Sequence, residues 1–529
     1  MAAPRQPIEE LFARSVAHHR AGRLERAAQG YDELLRRAPK VAGAWSMRGV
    51  IDLQRGRPSE ALPRLRRAIE LDPAEPGAHL NLGNALRGVG RLDEAIAAYE
   101  RALGLAPDMV QALNNLGNAR RDRGELAEAC VVYRRALALE PTFFAAAANL
   151  AQVLARRPDV PLDEALAAHD GALALAEAAR ASGGEVQGRD AANLHNGRGN
   201  LLAAAGRTGD AIESYRSALA HDGAFAEAHL NLGRTLAREL RVEEAIEPLR
   251  RALALRPEDV TIHPQLALAL RRLRRDGEAA EVYRAWHALA PDDPIAAHLS
   301  RARGAEAPPA RASDAYLKRE FDGFAAQFDD VLVGKLDYRG PALVAAALER
   351  AGLLVDAHSR GGELDVLDAG CGTGLAAQHL RPLARRLVGV DLSGRMLEQA
   401  RPRGYDELVE AELCAFARAR PASFDLVVAT EVLLYFGTLE PVLEALGEAL
   451  RPGGQLVFTV EHLDDGSLVA PGAGGWALGA GGRYAHHPEY VRRAVSAAGL
   501  VARELVEGTL RLELGEPVRG WVVTAERPG

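Results

Sequence analysis

The stretch LDVLDAGCGTG, Leu364 to Gly374, decides how the C-terminal part of this 529-residue chain is read. A short apolar run (Leu364, Val366, Leu367) ends in Asp368 and then in glycines at 370, 372 and 374. That is a strand running into a tight turn where a ligand approaches backbone closely, because a side chain on those glycines would occupy the ligand's place. The helix expected next points unpaired N–H groups and a partial positive charge at the turn. A second apolar run, Leu387 to Val390, delivers Asp391, 21 residues after Gly370. In a βαβ unit a carboxylate at that place accepts both hydroxyl protons of a ribose. The pattern predicts a nucleoside site.

The glycines alternate as G-x-G-x-G, and Leu375 stands where a dinucleotide fingerprint needs its third glycine, which disfavours a nicotinamide-dependent dehydrogenase. Farther on come FDLVVATE (Phe424 to Glu431), LRPGGQLVFTVE (Leu450 to Glu461) and two closing strand-like runs near 501–512 and 518–526. This ordered set, over residues 314–529, resembles the class I S-adenosylmethionine-dependent methyltransferases. The resemblance implies a Rossmann-like domain with a seven-stranded, mostly parallel sheet, and S-adenosylmethionine as cofactor. It puts Asp368 and the loop residues Gly370, Cys371, Gly372 and Gly374 against the cofactor, with Asp391 and Leu392 at the ribose. Met396 is a soft, polarizable surface for the adenine. Glu412 is the acidic residue facing the adenine amino group, where the family usually has aspartate, with Leu413 beside it. Thr430 and Glu431 mark the crevice at the end of the fourth strand. Phe321, Phe324 and Phe328 fall on one helix face, either a segment across the mouth of the site or a packing stripe.

Methyl transfer depends mainly on alignment of nucleophile, methyl and sulfur. A base is required only when the acceptor has a proton to lose. Candidates for the acceptor side are Tyr435, Glu461, His462, Tyr484, His486 and His487; a lone histidine of this kind is more often a cap or surface residue. Cys130, Cys371 and Cys414 lie far apart without a CxxC pair, so neither a metal site nor a disulfide framework is expected. The net charge of −7 and the lack of a basic patch interleaved with aromatics argue against nucleic acid. No signal-peptide pattern and no membrane-length apolar run appears, so no membrane insertion and a cytoplasmic location are expected.

The first three hundred residues repeat. Gly22, Gly56, Gly90 and Gly124 are each 34 residues apart, and alanine follows five positions later at 27, 61, 95 and 129. The alanine phase continues at 165, 211, 245 and 279, with a larger residue four positions on, mostly Tyr or Leu. These marks resemble the tetratricopeptide repeat, implying about eight helix hairpins stacked as an α-solenoid. The glycines at 49, 83, 117, 199 and 233 are close-contact points, and the tyrosines are assigned to the gap toward the next unit. The polar insert Ala181 to Asp190 reads as an exposed loop and a break in curvature. The organisation predicted is therefore a solenoid with capping helix over 1–302, a linker over 303–313, and a methyltransferase domain over 314–529.

Asn81, Asn115, Asn149 and Asn231 share one repeat position, and Asn84, Asn118 and Asn200 another. The rows resemble the asparagine ladders of the O-linked N-acetylglucosamine transferases, whose concave face grips a peptide backbone. That implies a protein or peptide partner, since an amide offers both donor and acceptor. The alternative is that these amides cap or cross-link helices. Functionally, the chain reads as a methyltransferase whose repeats recruit a protein or a carrier-bound substrate. The alternative is a scaffold or regulator whose methyltransferase domain binds S-adenosylmethionine without turnover.

Overall fold

Close approach of small and large residues sets the pairing of helices in the repeats. A Cβ on Gly83 would lie 2.4 Å from the Tyr99 ring, and one on Gly117 would lie 2.5 Å from Tyr133. Leu65 and Leu249 press in the same way on Gly49 and Gly233. The large residue therefore closes the hairpin of its own unit, not the gap toward the next one. The phase alanines at 27, 61, 95, 129 and 211 are wholly buried, where any larger side chain would push the helices apart.

The computed structural model describes residues 7–183, 186–302, 308–353, 363–463, 474–513 and 515–529, in two compact units, Met1–Leu255 and Arg256–Gly529. The first unit runs from the helix Ile8–Arg20 to the helix Val242–Leu255 as seven hairpins. The eighth, His263–Arg272 with Asp276–Leu289, and the cap helix Pro294–Arg301 belong to the second unit. Among the described residues the insert after the fifth hairpin is helical only at its two ends, Ala181 and residues 188–190. It lengthens Leu162–Ala181 and Gly188–Ala204, and the connection shrinks to 182–187, of which 184–185 lie outside the described residues.

Between the helices of a hairpin the chain turns through a left-handed residue. Gly22, Gly56, Gly90, Gly124 and Gly206 take it at φ between +68° and +89°. Leu240 and Arg274 occupy the same position at +61° and +56°, where a side chain is strained.

In the second unit nine strands form one sheet: β1 (Leu364–Ala369), β2 (Ala384–Asp391), β3 (Glu407–Glu410), β4 (Phe424–Ala429), β5 (Leu450–His462), β6 (Trp476–Leu478), β7 (Tyr484–His486), β8 (Val501–Glu513) and β9 (Glu516–Glu526). The order β3-β2-β1-β4-β5 is parallel throughout, and β9 joins β5 antiparallel with β8 outside it. These seven are the Rossmann-like sheet expected. The hairpin β6–β7 is an addition, held to the far end of β5 at Glu461 and His462. Alternate residues of the central strands enter two cores, Val366, Leu387 and Leu426 on one face and Leu367, Val388 and Val427 on the other. Burial on both faces explains the near-continuous apolar runs.

Part of the stretch read as a linker is docked. Residues 303–307 lie outside the described residues, but Ala312 is fully buried. Gly437 and Thr438 donate to the Ala310 carbonyl, Ala312 donates to that of Tyr435, and the Tyr484 hydroxyl donates to Pro309. Apolar burial and paired backbone, not the Ala/Pro/Arg composition, govern 309–313.

Two substitutions test the repeat geometry. Leu240 is 76% exposed, so Leu240→Gly removes strain without losing packing and is expected to raise stability by about 1 kcal/mol. Gly83→Ala forces Tyr99 outward and is expected to lower it by about 1–3 kcal/mol. Urea midpoints followed by far-ultraviolet circular dichroism would check both.

Candidate functional site

The parallel strands end on one edge of the sheet, and β1 is where the chain order reverses, with β2 on one side and β4 on the other. A crevice at such a switch point is the usual ligand site. Here it is a cavity of about 440 Å³, lined by the turn after β1, the ends of β2 and β4, and the helices Asp314–Phe324 and Phe328–Lys335.

The turn after β1 is tied to β2, since the N–H groups of Gly370 and Cys371 both donate to the Val390 carbonyl. Its three glycines all have positive φ, for different reasons. A Cβ on Gly370 would strike Val432 at 2.4 Å and one on Gly374 would strike Tyr405 at 2.8 Å, so these two serve protein packing. A Cβ on Gly372 would meet nothing within 4 Å. Of the three, only Gly372 leaves ligand space. Gly374 does not line the cavity, whereas Gly370, Cys371 and Gly372 do. The helix expected after the turn is the single turn Ala377–Leu380, cut short before Pro382, too short for an aligned run of peptide dipoles to act on the site.

Asp391 ends β2 inside the cavity. One carboxylate oxygen accepts from the Gly372 N–H and the other from Ser393 N–H, each at 2.9 Å, which fixes its orientation and leaves further lone pairs free. Burial raises its pKa, and these backbone donors oppose the rise. Asp368 is almost completely buried and accepts from the Tyr405 hydroxyl at 2.6 Å; burial pushes its pKa up to about 7. Leu392, Met396, Leu413 and Thr430 line the same cavity. Glu412 lines it too, with both oxygens engaged: one accepts from the Ala415 N–H and the other from Arg311. Burial raises the pKa of Cys371, holding its thiol protonated. Among the described residues no cluster of ligands suited to a metal occurs, and no helix is long and apolar enough to cross a membrane.

Phe321, Phe324 and Phe328 line the cavity and also pack on one another, so both readings of that stripe hold. Hydrogen bonds from Ser393 to Asp322 and from Thr373 to Asp329 lace this segment onto the strand ends.

The acceptor-side candidates separate. Tyr435 lines the cavity, its ring edge-on to Phe321. Glu461 does not line it but sits behind it, bound to Arg483 and Arg511, which do. The remaining four lie outside the cavity. His462 packs on Trp521 with Glu507 at 3.3 Å. Tyr484 holds Pro309. His486 is buried beside the Phe436 carbonyl at 2.8 Å, and burial lowers its pKa to about 4. His487 caps the helix Pro488–Ala497, accepting from Glu489 N–H.

Sequence reasoning put Glu431 at the crevice without a role and passed over Tyr338, Arg483 and Arg511; all four are in the cavity wall. Glu431 has φ +57°, and its N–H donates to Thr459 Oγ1. One carboxylate oxygen takes Arg511; the other, Oε1, is buried with no hydrogen-bond partner among the described residues. Burial raises the pKa of Glu431, against the nearby Arg511. Burial likewise raises the phenols of Tyr338 and Tyr435. Arg511 shares its strand with Arg503, Glu504, Glu507 and Glu513, so no sequence signal singles it out.

The asparagine rows are at least partly structural. Asn84 Oδ1 accepts from the Tyr99 hydroxyl and from Asn115 Nδ2 of the next repeat. Asn118 and Asn200 accept from Tyr133 and Tyr215, and Asn231 donates to Asn196 and Asn200. Asn149 donates to Asn114 and accepts from Arg121. Asn81 makes no side-chain hydrogen bond among the described residues.

Residues 367–458 match the family model described as a methyltransferase domain, and 46–110, 80–142, 196–260 and 230–294 match the tetratricopeptide repeat. A malonyl-[acyl-carrier protein] O-methyltransferase of Enterobacter lignolyticus is 38% identical over 19% of this chain and 39% of its own length. One from Erwinia pyrifoliae is 33% identical over 29% of this chain and 58% of its own. A ubiquinone biosynthesis O-methyltransferase of Thiobacillus denitrificans is 35% identical over 18% and 43%. The chain thus spans about half the length of these curated relatives.

The buried Asp368 gives a pH prediction. Its folded pKa of about 7 lies above the unfolded value near 4, so the folded state holds more protons in between and stability falls as pH rises from about 4 to 7. Asp368→Asn keeps an acceptor for Tyr405 without the charge. It is expected to flatten this limb and raise the melting temperature at pH 8, as calorimetry at several pH values would show.

Proposed function

We propose that this chain, a tetratricopeptide-repeat protein with a methyltransferase domain, is an S-adenosylmethionine-dependent methyltransferase whose repeats recruit a protein or a carrier-bound substrate. The observation that carries the reading is the convergence of Asp391, the open Gly372 and the partnerless Oε1 of Glu431 on one cavity. The residues fit the cofactor: Asp391 presents free lone pairs to ribose hydroxyls, Met396 and Leu413 offer an apolar bed for a base, and Gly372 leaves room beside backbone. When bound, the sulfonium supplies an activated methyl group. The chain's own part is to align the acceptor and to take up its proton.

Phe321, Phe324 and Phe328 exclude water over the site, which strengthens every polar contact inside it. Tyr338 and Tyr435, held as phenols by burial, orient an acceptor by donating hydrogen bonds. Glu431 Oε1 receives the acceptor's proton, and Arg511 on the other oxygen fixes the carboxylate. The repeat surface remains the recruiting element, with Asn81 the amide of the rows that is free to meet a partner's main chain.

Calorimetry with S-adenosylhomocysteine tests the cofactor site. Asp391→Ala is expected to cost about 2–4 kcal/mol, from two hydrogen bonds to a charged acceptor partly replaced by water. Gly372→Val is expected to abolish binding. Wild-type affinity in both variants would remove the assignment. Separately, Glu431→Gln is expected to slow transfer of labelled methyl to lysate acceptors by roughly 10²–10⁴-fold. The wild-type rate should fall as acid protonates Glu431 through its raised pKa, and the variant should lack that limb.

A further inference from the structure

The helix His263–Arg272 belongs to the last repeat hairpin and to the same compact unit as the sheet. Its other apolar residues do what repeat helices do: Leu266, Ala267, Ala269 and Leu270 are all at most 2% exposed. Leu268 does not join them. It is 43% exposed, and it lines the methyltransferase cavity together with Arg271, one helical turn on. In repeat register, position 268 corresponds to Asn84, Asn118 and Asn200. A place that carries a cross-linking amide in earlier repeats carries here a leucine facing a cavity.

This wall is fixed to the catalytic part. His298 of the cap helix Pro294–Arg301 makes a 2.8 Å hydrogen bond to the Gly482 carbonyl, in the turn between β6 and β7. Its ring stacks on Tyr316 with centroids 4.0 Å apart. A Cβ on Gly482 would come within 2.8 Å of Leu299, so the fit is close. Arg271 lies 4.0 Å from Glu513, next to the Arg483–Glu513 pair, and Arg483 reaches Glu461, which shares Arg511 with Glu431.

From this geometry we infer that Leu268 and Arg271 of the last repeat form the acceptor-side wall of the methyl-transfer cavity and determine which acceptor enters. The inference rests on the proposed function. It adds that the acceptor is a reacting group on a longer molecule. A cavity of about 440 Å³ lies toward the small end of the roughly 300–1,000 Å³ range of ligand pockets. A nucleoside with an amino-acid tail takes most of it. The remaining end admits a reacting group, and the body of the acceptor stays outside, across Leu268. Leu268 with the Arg271 guanidinium one turn on suits a carrier arm that is apolar near its reactive end and bears an anion beyond it.

The three native cysteines are buried, so a thiol introduced by Leu268→Cys can be alkylated selectively in the full chain. The unalkylated variant should bind S-adenosylhomocysteine as the wild type does, and its own labelling of lysate acceptors is the reference for the alkylated protein. After reaction with a bulky maleimide, labelling should fall about tenfold or more while S-adenosylhomocysteine affinity stays within about twofold. Arg271→Ala, made separately, should raise the amount of acceptor fraction needed for half-maximal labelling and leave the maximum unchanged. Full labelling by the alkylated protein overturns the inference. Joint loss of labelling and of S-adenosylhomocysteine affinity also overturns it, because position 268 would then wall the cofactor end. A wild-type chain that fails to bind S-adenosylhomocysteine, or binds it and labels nothing, removes the proposed function, and the inference falls with it.

Discussion

Arg511 is the pivot of the unit that holds the sheet. Its guanidinium, 5% exposed, bonds Glu431 just past β4 and Glu461 near the end of β5 from its own place on β8. Three strand ends are thereby pinned at the one edge of the sheet where a ligand can lie. Burying such charges is costly, and the arrangement persists because each has a partner; removing one partner of a buried pair typically costs about 3–5 kcal/mol. Arg483 extends the network from Glu461 to Glu513. The network also positions function, since Glu431 can keep one oxygen unbonded only because the other is held.

The parts of this site that could be read from sequence are local in the chain. The turn after β1 and Asp391 at the end of β2 belong to one βαβ unit, so spacing alone brings them together. Within the loop, spacing did not distinguish Gly372 from Gly370 and Gly374, whose need for glycine comes from Val432 and Tyr405, distant in sequence. The cavity wall around Glu431 draws on such long-range neighbours. Arg511 meets Glu431 across 80 residues, and the candidates Tyr484 and His486 lie outside the cavity, taken up by the β6–β7 hairpin. His486 and Tyr484 satisfy backbone carbonyls instead. The two extra strands were illegible for the same reason: three-residue strands carry almost no periodicity.

In the repeats the legible and the hidden divide differently. The 34-residue spacing fixed the hairpins, and the buried alanines follow it. The amide rows were visible as well, but an amide has capacity for several bonds, and pattern does not say where they go. Tyr99 to Asn84 to Asn115 shows one answer: a phenol closes its own hairpin and the same amide reaches the next. Such chains stiffen the array and spend part of the donor and acceptor capacity that a visiting peptide would use.

The ends of the sheet carry a further consequence. Its β3 border is only four residues long, and Glu407 and Glu410 there hold Arg386, Arg420 and Lys318. At the β8 border the ladder is broken by register shifts at 502–504 and 509–511, and the strand presents Arg503, Glu504 and Glu507. Unpaired strand borders invite other chains to add on, and short length, charge and bulges are what prevent it. These two borders are therefore protected against taking up a strand from another copy of the chain.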